Sequence, residues 1–238
     1  GAPAGGMVGA GCCGVELRVL ARLSGDAAVL GGFRGDEGVG GRAAGVVLDG
    51  GVDGVTPDMR RSAKTINFGL IYGMGAQKLG QDLHIGMKEA KAFIARYFER
   101  FAKLKEFYDA IEKEAMENGF VSTMAGRRRF TPDILSQNNQ LRSQARRQAI
   151  NTRIQGSAAD IIKIAMIEVE NDPELRSRNA RLLLQIHDEL LLEAPEAEAE
   201  AAGKRLSELM SSVKPGGEAL SVPLVAEWGV GRNWAEAH

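Results

Sequence analysis

Two short apolar runs, Arg181-Leu-Leu-Leu-Gln-Ile186 and Leu190-Leu-Leu-Glu193, are separated by only three polar residues, His187, Asp188 and Glu189. Apolar runs of this length around a polar triplet predict a β-hairpin. An isolated two-stranded ribbon is marginal in water, so the hairpin needs a larger sheet or a helix to pack on. The stretch from Val222 to Trp228 reads as a closing strand that could join it. Asp188 beside Glu189, against an apolar wall, concentrates negative charge where a hard cation with oxygen ligands such as Mg²⁺ is stabilising. An aspartate at a turn also has a purely backbone reason to be there, and the residues alone leave both readings open.

Helical signals dominate elsewhere. Thr56-Pro57-Asp58 reads as a cap with proline in the first turn of a helix running from Met59 to about Tyr72, stopped by Gly73 and Gly75. Lys88 to Asn118 reads as one long amphipathic helix ending at Asn118-Gly119. Phe120 to Met124, then Ala125-Gly-Arg127, reads as a short strand and turn. Gln140 to about Val169 is helical, with a break expected near Gln155-Gly156, and Ala197 to Met210 is a further helix. Residues 1–54 hold 17 of the 30 glycines. Glycine at that density weakens helices and strands alike, so this segment is expected to be the least ordered or the least faithful to its ancestor. Within it, Val15 to Leu23 keeps a helical pattern, with Leu17, Leu20 and Ala21 on one face.

On the 59–72 helix, Arg60, Lys64, Phe68 and Tyr72 are spaced by four and fall on one stripe. Two cations at i,i+4 repel, and an anion between them reverses that term. Two rings further along offer a flat surface for a base or sugar, so the stripe suits a nucleoside triphosphate laid along the helix. A solvated basic end with an aromatic core end fits the same spacing.

The chain has 238 residues, 44% apolar and 26% charged, enough for a sizeable core. It contains no apolar run of about 18 residues, the length a membrane helix needs. The first ten residues lack the pattern of a secretory signal. The adjacent Cys12 and Cys13 have no zinc or redox spacing and point to a reducing compartment. The net charge of −1 hides an asymmetry, because Arg127 to Arg153 contains seven arginines and one acid, Asp133. Such a stretch suits a polyanionic partner, and equally a solvated surface.

These pieces, in this order, resemble the family-A (polymerase I-like) DNA polymerases. Met59-Arg-Arg-Ser-Ala-Lys-Thr-Ile-Asn-Phe-Gly-Leu-Ile-Tyr-Gly73 is similar to the family's nucleotide-binding fingers helix. Gln185-Ile-His-Asp-Glu-Leu190 is similar to the palm hairpin that carries a metal-binding aspartate. Ala149-Ile-Asn-Thr-Arg-Ile-Gln-Gly-Ser-Ala-Ala-Asp160 resembles the palm helix that reads the minor groove. Ala125-Gly-Arg-Arg-Arg-Phe130 and Trp228-Gly-Val-Gly-Arg-Asn-Trp234 also fit.

The resemblance implies an α+β fold. A palm with an antiparallel sheet would comprise 1–19 and 137–238, and helical fingers would be inserted over 20–136. The thumb and any exonuclease domain would be absent. It implies a monomeric, nucleoid-associated cytoplasmic enzyme acting on primer–template DNA and dNTPs with two Mg²⁺ ions. Arg60 and Lys64 would bind the triphosphate, with Lys64 a proton donor to pyrophosphate. Phe68 would face the sugar, Tyr72 the template base and primer end, and Glu16 would gate against a 2′-hydroxyl. Arg147, Asn151, Gln155 and His187 would contact DNA, and Asp188 would hold metal with Glu189 beside it.

Two positions depart from the family pattern. The motif Asp-Tyr-Ser-Gln-(Ile/Val)-Glu-Leu-Arg reads Gly11-Cys-Cys-Gly-Val-Glu-Leu-Arg18, so glycine falls on the first metal aspartate. A histidine that contacts the triphosphate falls on Gly40. Two-metal phosphoryl transfer needs carboxylates that bridge ions about 3.5–4 Å apart. The departure at Gly11 therefore raises a second reading, a catalytically impaired remnant that retains DNA and nucleotide contacts.

Overall fold

The computed structural model describes residues 5–12, 14–26, 29, 66, 69–217 and 220–237. The described chain combines helices with antiparallel sheet, an α+β composition. It divides into two compact units. The first comprises 1–19, 123–127 and 154–238, and the second 20–122 and 128–153.

The first unit is built on a four-stranded sheet in which β1 (Gly5–Cys12) lies between β5 (Glu189–Pro195) and β6 (Ala226–Gly231). The strand β4 (Arg181–Ile186) pairs with β5 at the edge, and every pairing is antiparallel. The expected hairpin is present, with Glu189 already inside the second strand rather than in the turn. The expectation of weak order across the glycine-rich start fails for residues 5–12, which form a central strand. The reason is an alternation that glycine content conceals. Val8, Ala10 and Cys12 are buried on one face of β1, opposite Leu192 and Leu190 of β5. That face packs against the helix Ala199–Ser212.

The other face of β1 carries Gly9 and Gly11, and Gly229 and Gly231 lie on the same side of β6. The short helix Trp234–Ala237 sits over Gly9, Gly229 and Gly231. A Cβ at Gly9 would come within 3.0 Å of the Ala237 carbonyl oxygen, and one at Gly229 within 2.7 Å. Here glycine is required by close backbone approach. The closing strand runs Ala226–Gly231 rather than Val222 to Trp228. Pro223 cannot donate to a ladder, so pairing begins only beyond it.

Among the described residues, the regular structure of the second unit is helical apart from a ribbon of β2 (Phe120–Ser122) and β3 (Arg128–Phe130). The long helix expected over 88–118 is two, Met87–Arg100 and Ala102–Asn118, broken at Phe101 (φ −110°, ψ 58°). The buried positions Tyr97, Phe101, Leu104, Tyr108, Ile111 and Ala115 keep helical spacing through the break. Periodicity therefore carries no trace of it. Burial raises the Tyr97 and Tyr108 hydroxyls well above their ordinary pKa, and the Tyr108 hydroxyl donates to the Ile71 carbonyl at 2.6 Å.

The break expected near Gln155-Gly156 is a π-helical turn, Thr152–Gly156, between the helices Asn139–Asn151 and Ser157–Asn171. Gly156 keeps helical angles, so the hydrogen-bond register widens without ending the helix. The first unit takes over from Ile154, within this turn.

Candidate active site: a cleft at the end of the central strand

An open cleft of about 650 Å³ lies in the first unit where β1 meets the β4–β5 turn. Gly11, His187, Asp188, Glu189, Glu227 and Trp234 are among the residues that line it. The turn is tight because His187 adopts a left-handed conformation (φ 54°). Two hydrogen bonds hold it. The Cys12 amide donates to the Asp188 carbonyl at 3.1 Å, and the Gln185 side-chain amide donates to the His187 carbonyl at 2.8 Å. Asp188 is thereby fixed beside the end of β1, half-buried at the cleft, with His187 exposed next to it.

Gly11 pairs with Glu189 on one side and Glu227 on the other, so all three occupy the same face of the sheet. A Cβ at Gly11 would have the Glu189 Cβ, at 3.7 Å, as its nearest neighbour. That is ordinary van der Waals contact, so a larger side chain fits here. Gly9, two residues along, differs, since a Cβ there would come within 2.6 Å of Glu189 Oε1. The Glu189 carboxylate therefore leans toward Gly9, and its Oε2 accepts a 3.1 Å hydrogen bond from the indole N–H of Trp234. Glu189 is only 6% exposed.

A second polar cluster lies in the same unit. Asp160, 2% exposed, accepts from the Thr123 hydroxyl at 2.5 Å and from Arg127 Nε at 2.8 Å. The Ser157 hydroxyl accepts from the Met124 amide. Together these anchor the 123–127 turn. Neither Asp160 nor Trp234 stood out in the sequence as a positioning group. The signals were an aspartate inside the apolar run Ala158-Ala-Asp-Ile-Ile162 and an indole N–H that needs an acceptor.

Glu16 is half-buried in the first turn of the helix Val15–Ser24. In the second unit, Tyr72 is half-buried and follows helical residues 69–71. The Arg147 side chain packs on adjacent Gly73, within 3.1 Å of where its Cβ would be, so Tyr72 and Arg147 are close neighbours. Asn151 is half-buried, and its Oδ1 has no hydrogen-bond partner among the described residues. Gln155 is exposed in the π-turn. Arg60, Lys64, Phe68 and Gly40 lie outside the described residues.

The profile of DNA polymerase family A matches residues 2–236, nearly the whole chain. The chain belongs to DNA polymerase family A. It is 46% identical over 225 residues to the thermostable DNA polymerase I of Thermus filiformis, covering 94% of this chain and 26% of that protein. It is 45% identical over 223 residues to DNA polymerase I of Bacillus caldotenax, covering 94% of this chain and 25% of that one. The chain thus spans about a quarter of the length of these relatives. Among solved structures it is similar to the POL domain of Pol1 from M. smegmatis in complex with DNA primer-template and dNTP. That likeness has a TM-score of 0.87 at 38% identity, over 98% of this chain and 40% of that one.

Family-A polymerases generally depend on Mg²⁺. The cleft residues fit a two-ion site only in part: Asp188, Glu189 and Glu227 bring carboxylates, Trp234 engages one oxygen of Glu189, and Gly11 brings none. Among the described residues, no group of three or more His, Cys, Asp or Glu side chains could hold a metal ion.

Proposed function

We propose that the chain is the palm-and-fingers portion of a family-A DNA polymerase. Its reaction class is template-directed addition of dNMP to a primer 3′ end, in DNA replication or repair. The observation that carries this reading is Asp188, held by a backbone hydrogen bond from Cys12 and lining a cleft at the end of the central strand. Under this reading residues 1–19 and 137–238 serve as the palm and 20–136 as the fingers, whereas the compact units place 123–127 with the first unit and 137–153 with the second. The helix of 59–72 supplies Arg60 and Lys64 to the triphosphate, Phe68 to the sugar and Tyr72 to the template base. Glu16 excludes the ribose 2′-hydroxyl. Arg147, Asn151, Gln155 and His187 contact DNA, and the orphaned Oδ1 of Asn151 is in keeping with a polar partner outside the protein.

A second reading is favoured by Gly11. The chain then binds DNA and dNTP and transfers nucleotides poorly, because a backbone carbonyl cannot stand in for a bridging carboxylate. Binding and chemistry separate the two. Both readings expect Lys64→Ala to weaken dNTP binding with the helix retained, since alanine is the best helix former. Both expect primer–template affinity to fall steeply with salt, because each neutralised phosphate releases counterions. Only the first expects appreciable primer extension with Mg²⁺ or Mn²⁺. Unchanged dNTP affinity in the Lys64→Ala chain, or salt-independent DNA binding, removes the common ground of both.

A further inference from the structure

The ribbon of β2 and β3 shows a surface that the residue assignments above leave unused. Its register pairs Phe120 with Phe130 and Ser122 with Arg128, so these four residues share one face. Val121, on the other face, is fully buried, which fixes the ribbon in place and leaves the Phe120/Phe130 face outward. Phe130 is 74% exposed, the most exposed large apolar side chain among the described residues. Its ring meets that of Phe120 edge-on at 6.1 Å, and the Arg128 guanidinium lies over the Phe120 ring at 4.6 Å. Neither Arg128 nor Arg129 forms an ion pair with a described residue.

An exposed phenylalanine gains nothing from water, and a cation over a ring attracts anions while leaving the neighbouring ring face open. Aromatic faces interleaved with arginines are the surface chemistry that binds single-stranded nucleic acid. Bases stack on the ring and phosphates pair with the guanidinium groups. A protein partner of matching charge would have to be acidic, whereas a nucleic-acid strand supplies both the anion and the flat apolar face.

We propose that the Phe130/Arg128 face of this ribbon is a stacking platform for an unpaired DNA strand. The strand is the single-stranded template beyond the primer-paired duplex. The platform rests on the DNA-binding reading above and adds a subsite to it. The Phe130 ring takes a base, its neighbour Phe120 braces that ring edge-on, and Arg128 supplies the charge for the backbone.

The test compares two DNAs bound by the full chain: a duplex with a long single-stranded 5′ template extension, and the same duplex with blunt ends. Phe130→Ala should weaken binding of the extended DNA by about 5- to 100-fold, the range expected for losing one base–aromatic stack. It should leave the blunt duplex unchanged, and Phe130→Trp should retain tight binding to the extended DNA. Phe130 is exposed, so its truncation removes no core contact. Equal loss on both DNAs, or no loss on either, overturns the platform. Altered self-association of the Phe130→Ala chain in sedimentation, with DNA binding intact, overturns it in favour of a second copy on this face. If the unmodified chain binds blunt duplex but gains nothing from the extension, the platform fails and the DNA-binding reading stands. If it binds neither DNA, both fail.

Discussion

Strands β1 and β5 lie side by side, paired from Gly5 with Pro195 to Gly11 with Glu189, yet they bring opposite things to the cleft. β5 and its turn bring two carboxylates to the cleft, Asp188 and Glu189, next to a fully buried leucine stretch. β1 brings glycine at 9 and 11 on the face it shares with Glu189 and Glu227. The two glycines are not equivalent. Gly9 is demanded by geometry, since Glu189 and the Ala237 carbonyl occupy the space of its side chain. Gly11 is not demanded by anything near it, because its missing Cβ would meet only ordinary contact. One strand and its turn bring carboxylates to the cleft, and the other brings only backbone there.

Restoring that side chain gives the largest expected effect. Gly11→Asp should fold like the parent, tighten Mg²⁺ or Mn²⁺ binding, and raise primer extension by about 10²–10³-fold, the usual worth of one electrostatic group at a reacting centre. Extension assays and metal titration on both chains read this out. If the unaltered chain already extends primers at an ordinary rate, the contrast between the strands collapses and another carboxylate completes the site. Glu189 is the first to examine. If Gly11→Asp leaves metal affinity unchanged, Gly11 does not face the metal position at all.

The contrast sharpens when Asp188 is set against a carboxylate with a structural task. Asp160 is buried and accepts from Thr123 and Arg127. Asp160→Ala should cost about 1–3 kcal/mol, because it leaves the buried Thr123 hydroxyl without its acceptor. Asp188→Asn, which keeps the backbone hydrogen bond to Cys12, should change stability by less than about 0.5 kcal/mol. Denaturant titrations of the two variants decide whether Asp188 serves the cleft or the fold. Comparable losses would make it a structural residue.

A smaller loss than at Asp160 is expected at Asp172, again in the first unit. It caps the helix Pro173–Ser177 through the Leu175 amide and pairs with Arg205 Nη2 at 2.6 Å. The Arg205 hydrogen bonds, helped by the Leu175 amide and opposed by burial, hold its pKa below the ordinary 3.8. A depressed pKa means that the stabilisation is complete above the unfolded-state value and is lost as pH falls through the folded-state one. Asp172→Ala should therefore cost about 1–2 kcal/mol at neutral pH, as a lost helix cap does. Its melting curve should converge with the parent's at pH values well below 3.8. A gap that persists in acid would assign the loss to packing rather than charge.

The hairpin, the helix after Asn138 and the family motifs were legible locally, because period-2 and period-3.6 patterns and short polar triplets act within a few residues. The resemblance to the family further implies that Gly11 stands where the family motif has an aspartate. The break at Phe101 was not legible, since its buried neighbours keep one unbroken helical phase across it. Nor was the central place of β1, which glycine content argues against and which long-range pairing with residues 189–195 and 226–231 imposes. The two glycines of β1 read identically in the sequence. Only the tertiary structure separates them, because the difference is the space that distant residues, Glu189 and Ala237, leave at each one.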